Sequence, residues 1–368
     1  MIEFLRDTLE AWRGGGIYSV AVPPMDGALR PNQALEEAEE ALAIESPDNL
    51  ARFGERILFS SGHTVRVLEA RAGACSASTF AEFEAPVSAM AADPTGGVVV
   101  GLESGKLVVH GGKHDGKTID EVGDRRTLCP TALAFADSDT LLVTLGSQQN
   151  PPGKWKHDLM QRNASGSVWR VSLGGGASTC LADRLAFPYG VYPAADGAVL
   201  VSESWKNRIL RIVPGAKPTV QLPDITGYPA RLAPRADKQG AWLVVFAPRS
   251  QLIEFVLRER DYREQMMLEI DDEFWIAPSL AAPRSFLEPL QGGALKQLGI
   301  LKPWAPTRSY GLVVQLGERF EPKLSFHSRA DGRRHGITSC LEIGGRLLAT
   351  SKGGDAIVSL AISDAKRK

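Results

Sequence analysis

Residues 185–212 read LAFPYGVYPAADGAVLVSESWKNRILRI, and this stretch decides the fold. It holds three short apolar runs with turn signals between them. Residues 187–191 lead in, and Asp196-Gly197 is a strong hairpin signal. Residues 198–201 form an apolar strand. Residues 207–212 are amphipathic, with Ile209, Leu210 and Ile212 set against Arg208 and Arg211. A lead-in, a strand, a turn and a strand within so short a span describe one small antiparallel unit.

The unit recurs along the chain. Asp48-Asn49-Leu50 leads into ERILFSSGHTVRVLEA, and Pro86-Val87 into MAADPTGGVVVGLESGKLVVHGG. Pro130-Thr131 leads into LAFADSDTLLVTLGS and, after the polar loop SQQNPPGKWKHDLMQRNASG, into GSVWRVSL. Pro229-Ala230-Arg231 leads into LAPRADKQGAWLVVFAPRSQLIEFVL, and Ile337-Thr338 into CLEIGGRLLATSKGGDAIVSLAI. The first five lead-ins stand roughly 40 to 60 residues apart, a period that marks propeller blades. The sixth comes much later, so a large insertion separates it from the fifth. The expected fold is all-β: a six-bladed propeller over residues 47–368, preceded by residues 1–46.

In that first segment, Phe4, Leu5, Leu9 and Trp12 have helical spacing and predict a short helix over 2–13. Residues 17–22 read as a strand that closes the ring in the last blade. Residues 32–44, with EEAEEA, read as a polar helix or solvated connection. The insertion is expected at 258–309, between blades five and six. RERDYREQMMLEIDDEFW is helical in composition, with Tyr262, Met266, Met267, Ile270 and Phe274 on one side. Such a segment cannot join the sheets and must cover a face as a lid.

Composition narrows the function. A net charge of -1 with acids and bases mixed along the chain argues against nucleic acid or an anionic membrane as partner. No run approaches the roughly 18 apolar residues of a membrane span. The charged start MIEFLRDTLEAWRGGG has no apolar signal core, so a cytoplasmic location is expected. Cys75, Cys129, Cys180 and Cys340 lie far apart and read as buried thiols rather than a disulfide or zinc framework. The glycine pairs open no helix after a strand, so they are turns and not phosphate loops. No G-x-S-x-G is present either. The expected partner is a small-molecule substrate, with no cofactor.

The succession GSVWRV, LAFPYGV, ADGAVLVSES, NRILR and LPDITGYPARL resembles the strictosidine synthase-like family, relatives of gluconolactonases and paraoxonases. YGLVVQL through GITSCLEIGGRLLATS resembles that family's closing segment. The resemblance implies a six-bladed propeller with its site at one mouth of the central channel. In the metal-dependent relatives the lead-ins supply Ca²⁺ ligands: an acid in blade one, Asn in blades three and four, Asp-Asn in blade five. Here Asp48 keeps the acid, but Thr131, Tyr189 and Ala230-Arg231 replace the rest. Calcium takes six to eight oxygens, and this set does not supply them. A metal-free site is expected, with Arg231 partly replacing the cation. The condensing members use a glutamate at the last lead-in, where Thr338 stands.

Three functional classes follow from these residues. The first is an ester or lactone hydrolase, with His335 and Asp48 handling the water while Arg231 and Tyr189 polarise the carbonyl. Thr131, Glu203, Trp205, Thr338 and His157 would contact substrate. Glu203 has an alternative role as the partner of Arg208 or Lys206, and His335 one as a hydrogen-bonded structural residue. The second class is a strictosidine synthase-type lyase joining an amine to an aldehyde. The third is a binding propeller without catalysis. The hydrolase leads.

Overall fold

The computed structural model describes residues 22–71, 74–285, 287–288, 296–297, 300–301 and 308–363. Six four-stranded antiparallel sheets surround a channel. Blade one comprises Pro47–Phe53, Arg56–Ser61, Thr64–Arg71 and Ala74–Glu82. Blade two comprises Val87–Asp93, Gly97–Leu102, Leu107–Gly111 and Thr118–Ile119. Blade three comprises Pro130–Phe135, Thr140–Leu145, Gly166–Ser172 and Thr179–Leu185, and blade four Pro188–Pro193, Val199–Glu203, Arg208–Ile212 and Thr219–Leu222. Blade five comprises Gly227–Pro234, Ala241–Pro248, Leu312–Leu316 and Pro322–His327. Blade six is Ile337–Ile343, Arg346–Ser351, Ala356–Ala361 and, from the other end of the chain, Glu39–Ala43.

The first strand of each blade faces the channel, and these inner strands touch around the whole ring. The second strands lie sandwiched between neighbouring sheets. Gly97–Leu102 and Ala241–Pro248 are buried along their full length. This explains why they are continuous apolar runs rather than alternating ones.

Closure departs from the sequence reading. Glu39–Ala43 pairs antiparallel with Ala356–Ala361, from Glu39 opposite Ser359 to Ala43 opposite Ala356, with one slip in register between Glu40 and Leu42. Residues 32–44 were expected to be helical or solvated, because Ala and Glu favour helix. Pairing with an open sheet edge overrides that weak preference, and an outermost strand tolerates exposed Glu39 and Glu40. The expected helix at 2–13 and nearly all of the expected strand at 17–22 lie outside the described residues.

The insertion is also differently placed. It leaves blade five after Pro248 and returns at Leu312, so it sits inside that blade and not between blades five and six. It begins earlier than residue 258, with helices α2 (Gln251–Arg258) and α3 (Arg260–Glu269); α1 is Trp155–Met160, in the loop of blade three. QLIEFVL looked like a strand, but the Ser250 hydroxyl accepts the Ile253 amide at 3.2 Å and caps a helix that buries Ile253 and Val256. On α3, Met266 is buried while Tyr262 is exposed. No helix among the described residues is long and apolar enough to cross a membrane. All four cysteines are unpaired; Cys129 and Cys340 are buried, whereas Cys180 is exposed, unlike the buried thiol expected there.

Candidate active site

All six inner strands share one irregularity. Their pairing with the second strand slips near the lead-in, between Asp48 and Ala51, Val87 and Ala89, Pro130 and Ala132, Pro188 and Gly190, Pro229 and Leu232, and Ile337 and Ser339. Such bulges bend a strand and re-aim the extra residue. The skipped residues include Ser88, Thr131, Tyr189, Arg231 and Thr338. These positions, with Asp48, build the centre of the channel.

Arg231 joins them. Its Nη1 donates to Asp48 Oδ1 at 2.6 Å and to the Thr338 carbonyl at 3.1 Å. Its Nη2 donates to the Ser88 carbonyl at 2.6 Å and the Thr131 carbonyl at 3.0 Å. The guanidinium carbon stands 5.1 Å from the centre of the Tyr189 ring. Blade five thus supplies a cation that contacts all five other blades. All four terminal N–H groups of Arg231 are committed in this arrangement, while its buried Nε–H has no partner among the described residues.

Asp48 is 2% exposed. Its Oδ1 accepts from Arg231, from the Thr338 hydroxyl at 2.8 Å and from the Asn49 amide at 2.8 Å. Its Oδ2 accepts from Lys352 Nζ at 3.1 Å. Burial penalises the Asp48 charge, but Arg231, Lys352 and the Thr338 hydroxyl outweigh it and hold the carboxyl below its ordinary value. A carboxylate so occupied is a weak base. Burial also lowers Lys352, but its charge attraction to the Asp48 carboxylate and their hydrogen bond push it further upward, so it remains an ammonium at neutral pH. Burial raises Tyr189, which therefore stays a neutral hydroxyl donor.

Above this cluster lies a cavity of about 220 Å³. Asp48, Ser88, Thr131, Tyr189 and Lys352 form its polar side; Trp155, Phe187 and Phe246 form aromatic walls, and Leu280 of the insertion also lines it. Glu103 also lines it. Its carboxylate makes no hydrogen bond or ion pair among the described residues.

The remaining residues expected at the site stand elsewhere. His335 is fully buried outside the cavity lining. Its Nε2–H donates to the Arg329 carbonyl at 2.7 Å, and Nδ1 faces the Ser309 hydroxyl at 2.8 Å. Both ring nitrogens are occupied and burial lowers its pKa, so its position is that of the structural alternative. Glu203, also fully buried, binds Arg208 at 2.6 Å, Lys206 at 3.2 Å and the Ala186 amide at 2.8 Å, again the structural alternative. Trp205 stacks on Phe187 at 4.4 Å behind the cavity wall and donates to Asp158 at 2.8 Å. His157 lies on α1 against Trp275, at 4.7 Å between rings, rather than in the cavity.

Lys352 and Glu103 were missed. Each follows directly on an apolar second strand, RLLATS and GVVVGL. In an antiparallel hairpin, the end of the second strand lies beside the start of the first. A charged residue immediately after a second strand was therefore the available signal, and the sequence reading applied it only to Glu203.

No protein-family model matches the chain, and no curated protein gives a significant match. Solved structures do. A gluconolactonase from Xanthomonas campestris, described as important in glucose secondary metabolic pathways, is 16% identical, covering 93% of this chain and 97% of its own, with a TM-score of 0.53. A protein described as a candidate gluconolactonase is 11% identical over 88% of this chain and 91% of its own, with a TM-score of 0.52. At such identities the likeness establishes the shared six-bladed fold, and the strictosidine synthase-like branch is not singled out by it.

Proposed function

We propose that the protein is a metal-independent hydrolase of small esters or lactones, acting in the channel cavity. The observation that carries this reading is the joint lining of one small cavity by the Lys352 ammonium, the Tyr189 hydroxyl and the unpartnered Glu103 carboxylate. At about 220 Å³ it falls below the roughly 300–1,000 Å³ of drug-sized pockets, which suits a small ligand. The fold shared with gluconolactonases adds support, as does the apolar wall that would exclude bulk water.

In this mechanism Lys352 and Tyr189 hold the carbonyl oxygen of the substrate. Glu103 takes a proton from water as the water oxygen attacks the carbonyl carbon. The oxyanion is stabilised by Lys352 and Tyr189. Collapse breaks the carbonyl–alkoxy bond, and the proton on Glu103 passes to the departing oxygen. Asp48 and Arg231 position Lys352 and do not touch the reacting atoms.

Metal independence rests on the donor set. The oxygens that converge in the channel, Asp48 Oδ1 and three main-chain carbonyls, already surround the Arg231 guanidinium at 2.6–3.1 Å. A divalent cation there would meet a fixed positive charge, so the residues present do not fit the ion. Among the described residues no three His, Cys, Asp or Glu side chains cluster elsewhere as metal ligands.

The test is a panel of lactones and aryl esters, followed by Glu103→Gln and Lys352→Met. Loss of the base should lower kcat by about 10²–10⁴, and loss of the oxyanion donor by about 10²–10³. Full activity in both variants would end this mechanism. An inert panel would favour the binding-propeller alternative.

A further inference from the structure

A second cavity, of about 620 Å³, adjoins the insertion. Charged groups line it, including Glu45, Lys156, Glu273 and Arg284. Leu280 and Lys352 line both this cavity and the inner one. Beneath the inner cavity the channel is filled by Arg231, whose four terminal N–H groups are tied to blades one, two, three and six. Leu280 therefore stands on the boundary between the two cavities, beside Lys352.

The backbone at Leu280 is fixed. Its carbonyl oxygen would stand 1.8 Å from a Cβ at Gly353 and 2.6 Å from one at Gly336, so blade six accepts it only because both positions are glycine. Arg308, 3% exposed, fastens the same segment. Its Nε donates to the Ala277 carbonyl at 3.1 Å, Nη2 to the Glu273 carbonyl at 3.1 Å, and Nη1 to Glu288 at 3.1 Å. The Arg308 carbonyl in turn accepts the Ser279 amide at 2.7 Å. With the main chain clamped on both sides, the size of the side chain at 280 sets the width of the passage.

We infer that Leu280 is the gate between a charged outer vestibule and the aromatic inner cavity, and that it limits entry to small carbonyl compounds. The limit on substrate size rests on the hydrolase reading above; the gating of entry does not.

A labelling experiment separates the two. Ser88 lines the inner cavity, and Ser88→Cys places a thiol there. Its modification by a small and a bulky methanethiosulfonate is followed by peptide mass mapping, which distinguishes residue 88 from the native cysteines. Against the Leu280 background, Leu280→Ala should raise the bulky-to-small rate ratio by about tenfold, and Leu280→Phe should lower it by a similar factor. A ratio unchanged in both variants overturns the gate, and the paired substitutions keep the test informative if either one folds poorly. Labelling that follows residue 280 beside an inert lactone panel would uphold the gate and sink the hydrolase. Hydrolysis with labelling indifferent to residue 280 would do the reverse.

Discussion

Replacing Arg231 by Met tests whether the channel is held together by its central cation. Methionine approximates the length of the side chain, so the cavity left behind is small. What is lost is the pairing. Asp48 keeps Lys352, Thr338 and the Asn49 amide, but loses its 2.6 Å partner. The carbonyls of Ser88, Thr131 and Thr338 lose the donor that links their blades. Side-chain exposures of 11% for Arg231 and 3% for Asp48 place this pair in the buried class, where removing one partner typically costs about 3–5 kcal/mol. Against a total stability of roughly 5–15 kcal/mol this is a large fraction. Urea denaturation should show the midpoint falling with the slope unchanged. Asp48→Asn in the same background should cost less than it does in the parent, because the carboxylate would already lack its main partner. The pH dependence carries a second signature. Asp48 has a folded pKa below its ordinary 3.8, so its contribution is present above that value and is lost as pH falls through the lower folded one. That contribution should shrink in Arg231→Met. A stability loss below about 1 kcal/mol would refute the reasoning and leave Arg231 as an incidental occupant of the channel.

Chelation is expected to leave the melting temperature unchanged, because Arg231 takes the oxygens an ion would need; a drop restored by Ca²⁺ would refute this, since a tightly bound ion stabilises by mass action. Acid should destabilise the fold through His327, which sits fully buried beside Tyr310 and Ser325 and whose pKa burial lowers from 6.5 to about 3. The unfolded chain binds this proton first, so stability is complete above about pH 6.5 and falls below it, by about 2 kcal/mol at pH 5. Stability measured from pH 7 to 5 should lose about that amount, and His327→Gln should flatten the slope. An unchanged slope would assign the acid sensitivity to other groups.

The sequence by itself determined the ring. Repeated lead-ins, apolar second strands and Gly or Asp-Gly turns encode each blade locally, because a hairpin forms between neighbours in the chain. The same local logic named Asp48, Thr131, Tyr189, Arg231 and Thr338, since each is the bulged or flanking residue of an inner strand. Tertiary structure decided the rest. Closure by Glu39–Ala43 depends on an edge some three hundred residues away, so helical composition misled there. The insertion's seat within blade five depends on which strands pair, and a helical run reads the same in either place. His335 and Glu203 carried the right chemistry in the wrong surroundings, because burial and partners assign a role that residue type alone does not. Lys352 and Glu103 each carried a local signal, a charge directly after an apolar second strand, but they share one cavity only because closing the circle brings hairpin ends from different blades side by side.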